Sequence, residues 1–124
     1  MIRISNKKFE ELVAEAIAAV PAPYSGGLQN VAFIVEDQPS AVQSKRLKLS
    51  CNALLFGLYE GVPLPRRNGA TKLLPDKITL FKRPLCLVSN DESELRKNIH
   101  HTVWHEVAHY YGLDHKRIHE IEHR

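Results

Sequence analysis

Apolar residues fall on one face of a helix near the start of the chain. Phe9, Leu12, Val13, Ala16, Ile17 and Val20 recur at steps of three and four, and Lys7, Lys8, Glu10, Glu11 and Glu15 fill the other face. This spacing predicts an amphipathic helix. Ser5 or Asn6 can cap its start, and Pro21 and Pro23 stop it. The pattern then changes period. Val31 to Val35 is a short run rich in β-branched residues, which predicts a mostly buried strand. Residues 36–50 read as a loop with some local structure. A second strand is expected over Leu54, Leu55, Phe56, Leu58 and Tyr59, ending at Gly61, and a third over Ile78 to Phe81, bounded by Asp76 and Pro84. Between them GVPLPRRNGA is a loop, because Pro63 and Pro65 cannot join a regular ladder. Leu85 to Val88 is a further apolar piece that extends or follows the third strand.

Helical spacing returns in SNDESELRKNIHHTVWHEVAHYYG, residues 89–112. Leu95, Ile99, Val103 and Val107 step by four, and Tyr110 or Tyr111 continues the stripe, so one long helix is predicted. Ser89 followed by Glu92 has the form of a capping box, and Asp91, Glu92 and Glu94 suit the positive end of a helix. Residues 116–123 predict a short final helix. The order of elements is an N-terminal helix, three short strands, a long helix and a short C-terminal one, an α+β pattern. No repeat or linker divides the chain, so residues 1–124 are expected to form one domain.

Composition narrows the function only a little. Hydrophobic residues make up 44% and charged residues 25% of 124, an ordinary globular balance. A net charge of +3 does not call for nucleic acid or a membrane surface. The clusters at Lys45, Arg46 and Lys48, and at Arg66 and Arg67, read as solvated loops. The amino-terminal stretch has no unbroken apolar core of a signal peptide, and no run is long enough to span a bilayer, so a cytoplasmic protein is expected. Cys51 and Cys86 form no CxxC and read as reduced thiols, with a single disulfide as the alternative.

The seven histidines change the picture, because four of them fall between residues 100 and 109. His105 and His109 are one helical turn apart and project from one face, where two imidazoles can share a Zn²⁺. Glu106 points about 100° round from His105, which suits a base beside the metal better than a ligand. A catalytic zinc needs a third protein ligand. In a continuous helix His115 would lie about 15 Å further along the axis. Gly112 removes that obstacle, since glycine adopts the left-handed conformation that ends helices and lets the chain turn back. Asp114 is the alternative third ligand. Val103 lies about 200° from His105, so the apolar stripe meets the core while the histidines face a cleft. His101 shares the His105 face and reads as solvent-facing, with a place near the metal as the alternative. His100, His119 and His123 read as surface positions, the last two able to chelate adventitious metal. Trp104 reads as packing. Tyr24, Tyr59, Tyr110 and Tyr111 include candidate oxyanion donors.

The string HEVAHYYGLDH resembles the zincin signature HExxHxxGxxH. With FEELVAEAIAAVP, NVAFIVED, LLFGLYEGVPLPRR and LPDKITLF, most of the chain resembles the small bacterial family of minimal zincin-like metallopeptidases. The resemblance implies an α+β zincin-like fold with an N-terminal helix, a small mixed sheet and a long active-site helix, zinc held by His105 and His109, and Glu106 as general base. That family usually carries an acidic residue where this chain has His115. The expected function is a zinc-dependent peptidase acting on peptide or protein substrates, with an extended substrate paired to a sheet edge in Val31–Val35 or Ile78–Phe81. The alternative is a zinc-binding module that holds a peptide or partner without turnover.

Overall fold

A computed structural model describes residues 1–46, 55–63 and 76–123. The first helix, α1, spans Asn6–Ala18, and Ser5 caps it by accepting from the Lys8 amide at 3.1 Å. A 3₁₀ turn at Tyr24–Gly27 leads into strand β1, Val31–Glu36. Helix α2 follows at Ala41–Arg46, within the region read from sequence as a loop. Its start is a reciprocal cap: the Gln43 amide donates to Ser40 Oγ at 3.0 Å, and the Ser40 amide to Gln43 Oε1 at 2.9 Å. Strand β2 is Gly57–Glu60 and strand β3 is Asp76–Phe81. Leu54, Cys51, Lys48 and the Arg66–Arg67 pair lie outside the described residues.

The three strands form a mixed sheet in the order β1-β3-β2. β1 runs parallel to β3, with Val31 opposite Asp76 and Glu36 opposite Phe81. β2 runs antiparallel to β3, with Gly57 opposite Leu80 and Glu60 opposite Lys77. The central place of β3 explains its burial: Ile78, Thr79, Leu80 and Phe81 are fully enclosed. It also corrects one expectation. Ile78–Phe81 is not an edge, so among the described strands only β1 and β2 offer one.

Helix α3, Lys82–Leu87, follows β3 at once, where only an apolar continuation was expected. Pro84 is its third residue, a position whose amide would have no intrahelical partner, so it starts a helix here rather than only ending a strand. Helix α4 spans Glu92–Tyr110. Its cap is Asp91, which accepts from the Glu94 amide at 2.8 Å, and not Ser89. Ser89 is buried instead, donating to the Leu85 carbonyl at 2.7 Å and accepting from Asn98 Nδ2 at 2.9 Å. The last helix, α5, is His115–Glu122.

The stripe predicted on α4 is the centre of the core. Leu95, Ile99, Val103 and Val107 are all 0% exposed and cluster with Phe9, Leu12, Val13 and Ala16 of α1 and with Ile78 and Leu80 of β3. Each such side chain contributes about 1.5–3 kcal/mol when fully buried. This packing fixes the rotation of α4 about its axis and thereby decides which way the histidines point.

Candidate metal centre

Helix α4 ends where the sequence places its glycine. Gly112 has φ 73°, its amide donates to the His109 carbonyl at 3.0 Å, and the Leu113 amide donates to the Ala108 carbonyl at 3.0 Å. These two bonds form a Schellman turn, which satisfies the last carbonyls of the helix and reverses the chain. Two residues later Asp114 caps α5, accepting from the Arg117 amide at 2.8 Å. The carboxylate considered as an alternative third ligand is therefore engaged by the start of α5, and His115 is the first residue of that helix. Trp104, 6% exposed, ties α5 to α4 by donating from Nε1 to the Ile118 carbonyl at 3.1 Å.

The turn brings three imidazoles together. Ring centres lie 4.5 Å apart for His105 and His109, 5.5 Å for His105 and His115, and 6.1 Å for His109 and His115. Three imidazoles that share one cation through nitrogens at about 2.0–2.1 Å, at tetrahedral angles, would have ring centres about 5.2 Å apart. The observed distances bracket that value, so His105 and His109 fit a metal of that kind, and the His115 ring stands beside them without its donor atom joining the closer group of His105, Glu106 and His109.

Glu106 enters this centre more closely than its helical angle suggests. One donor atom each of His105, Glu106 and His109 lie within 4.8 Å of one another, a grouping that could hold a metal ion. The Glu106 carboxylate is buried, and its Oε1 accepts from the Tyr59 amide at 3.0 Å and lies 3.2 Å from His109 Nδ1. Close packing makes this reach possible. A Cβ at Gly57, the first residue of β2, would stand 2.6 Å from Thr102 Cγ2 and 3.3 Å from Glu106 Cγ, so only glycine lets β2 lie this near α4. The edge beside the centre is thus β2, which was not among the edges expected to receive substrate.

The electrostatics of the two helix-borne histidines differ. Burial pushes the pKa of His105 below its ordinary value, helped by the neighbouring histidines and opposed by Glu106. The hydrogen bond that His109 Nδ1 donates to the Glu106 carboxylate pushes the pKa of His109 up, against the effect of burial. Neutral imidazole is the form that binds metal, so His105 is prepared for a cation while His109 gives up its proton less readily.

The remaining candidates fall elsewhere. His101 turns to Glu122, with Nδ1 2.8 Å from Oε1. His100 is half-buried rather than a surface position; it helps line a cavity of about 570 Å³ with Val20, Trp104, His101 and Ile121, beside α4 and away from the three clustered rings. The Tyr59 hydroxyl donates to Asp76 Oδ2 at 2.9 Å, that of Tyr110 to the Gly27 carbonyl at 3.2 Å and that of Tyr111 to the Tyr24 carbonyl at 2.6 Å. The Tyr59 amide bond to Glu106 has no counterpart in residue type, since any residue but proline supplies it.

An α+β fold whose long helix carries HExxH, followed by a glycine turn that returns a further histidine, defines a zincin-like protein. The family profile described as zincin-like metallopeptidase matches residues 28–124, and the chain belongs to that family. A conserved hypothetical protein from Thermo thermophilus has a similar structure, with a TM-score of 0.56 and 20% identity, over 87% of this chain and 94% of that one. That likeness concerns the fold alone. No curated protein matches the chain. Among the described residues no helix is long and apolar enough to cross a membrane.

Proposed function

We propose that this chain is a zinc-dependent peptidase in which His105, His109 and His115 hold the metal and Glu106 is the general base. The observation that carries the reading is the convergence of three imidazoles around the Gly112 turn with a buried carboxylate held at their side. When bound, zinc would polarise the scissile carbonyl and make the attacking water more acidic. Glu106 takes the proton from that water through its carboxylate and passes it to the departing amine nitrogen. The Tyr59 amide holds Oε1 in place, so the carboxylate does not have to be ordered during the reaction. β2 receives the substrate as an added strand: alternate residues of a strand point the same way, so the carbonyls of Gly57 and Tyr59 face outward with the Tyr59 amide. An extended peptide or unfolded protein segment is the substrate class this edge suits. A cytoplasmic location agrees with the free, buried thiol of Cys86.

The test is Glu106→Gln in zinc-loaded protein against a panel of unstructured proteins. Loss of general-base catalysis is expected to slow cleavage by roughly 10²–10⁴-fold while zinc stays bound. Cleavage at the wild-type rate would exclude Glu106 as the base. A second reading is a zinc-binding module that holds peptides without turnover. It is favoured by the tyrosine hydroxyls at 59, 110 and 111, each of which donates to another group of the protein. That reading expects zinc at the centre, lost in His109→Ala, with no cleavage of any substrate.

A further inference from the structure

The chain carries the HExxH pattern a second time, as HEIEH from His119 to His123. It occupies the last turn of α5, with His123 as the C-cap. The ring centres of His119 and His123 lie 4.3 Å apart, close to the 4.5 Å of His105 and His109. The same one-turn separation on a helix produces both pairs. His119 and His123 are exposed, so neither is explained by packing. Glu122 lies between this pair and α4: its Oε1 is 3.6 Å from His123 Nε2, and its Oε2 is 2.7 Å from His101 Nδ1.

We infer that His119 and His123, with the Glu122 carboxylate, form a second binding site for a divalent cation, separate from the centre at His105, His109 and His115. Two imidazoles and a carboxylate suit Zn²⁺, Ni²⁺ or Cu²⁺ rather than Mg²⁺ or Ca²⁺. The site lies at the C-terminal end of α5, where the unpaired carbonyls carry partial negative charge and favour a cation. It binds without catalysing. The glutamate that follows the first histidine, Glu120, is exposed and within 3.5 Å of Arg117 Nη1, whereas Glu106 is buried against the metal centre. The second site is also the weaker one. Only His105, Glu106 and His109 bring three donor atoms within 4.8 Å of one another among the described residues, and Glu122 must be shared with His101.

Metal content of the full chain, measured after dialysis at a fixed free zinc concentration that saturates the first centre, tests this. Wild type is expected to hold two equivalents. His119→Ala and His123→Ala should each hold one, with unchanged circular dichroism, and Glu122→Gln should bind the second equivalent roughly tenfold more weakly. A wild type that holds a single equivalent overturns the site, as does a second equivalent that persists unchanged in both histidine variants. His109→Ala separates the two proposals. It should lose the tight equivalent and keep the weak one; if it loses neither, the reading of the first centre fails and the second site stands.

Discussion

Replacing Gly112 by alanine tests whether the turn after α4 sets the geometry of the metal centre. The backbone there has φ 73°, a region in which a Cβ collides with the following carbonyl. An L-residue held in that conformation costs about 1–2 kcal/mol. Alanine also restricts the unfolded chain, which offsets about 0.4–1 kcal/mol. The net loss expected is about 1 kcal/mol, or roughly 3–5 °C in Tm for a domain of this size. If the turn relaxes to relieve the strain, His115 moves away from His105 and His109, and the metal must restore the strained form on binding. Zinc affinity should then fall by up to the same 1 kcal/mol, roughly fivefold. Asparagine tolerates left-handed backbone better than alanine, so Gly112→Asn should lie between wild type and Gly112→Ala. Thermal unfolding in the presence of a chelator reads the first quantity, and competition with a coloured chelator reads the second. If alanine and asparagine both leave Tm and affinity at wild-type values, the left-handed turn does not govern the centre.

Three further expectations follow from the same geometry. The raised pKa of His109 means that protons begin to displace metal at a higher pH than for an ordinary histidine; in metal-free protein the same shift adds stability that is present below the unfolded histidine pKa and lost as pH rises through the folded one. Glu106→Gln removes the negative charge that strengthens this hydrogen bond, so the onset of metal loss should move to lower pH in chelator competition, and no movement would refute the cause assigned. Asp91→Ala should cost about 0.5–2 kcal/mol in urea unfolding by removing the cap of α4, and a neutral result would return that role to another residue. Cys86 is buried and burial pushes its thiol pKa up, so alkylation of the folded protein near pH 8 should be far slower than of the unfolded chain. Its contribution to folding is intact below the ordinary thiol pKa and is lost as pH rises above it; equal labelling rates in folded and unfolded protein would show that the thiol is exposed.

Local patterns in the sequence account for much of this fold. The α1 and α4 stripes are legible because helical packing repeats over several turns, and Gly112 is legible because few residues accept positive φ. The start of α2 was also available, since Ser40 and Gln43 have the spacing of a capping box. Asp91 and Ser89 both lie at plausible cap positions, and only tertiary burial of Ser89 against Leu85 and Asn98 separates them. The strand order was not legible. Pairing of β2 with β3 joins residues about twenty apart, such as Tyr59 with Ile78, and nothing in either strand states which lies in the middle. The same holds for the contact of Glu106 with β2, which joins residues 47 apart through a backbone amide.

That contact has a consequence for how the protein can vary. The group that steadies Glu106 belongs to the main chain, so position 59 can change its side chain without releasing the carboxylate. Proline is the one replacement that removes the donor outright. The rim of the cleft can therefore be reshaped while the buried carboxylate beneath it keeps its alignment.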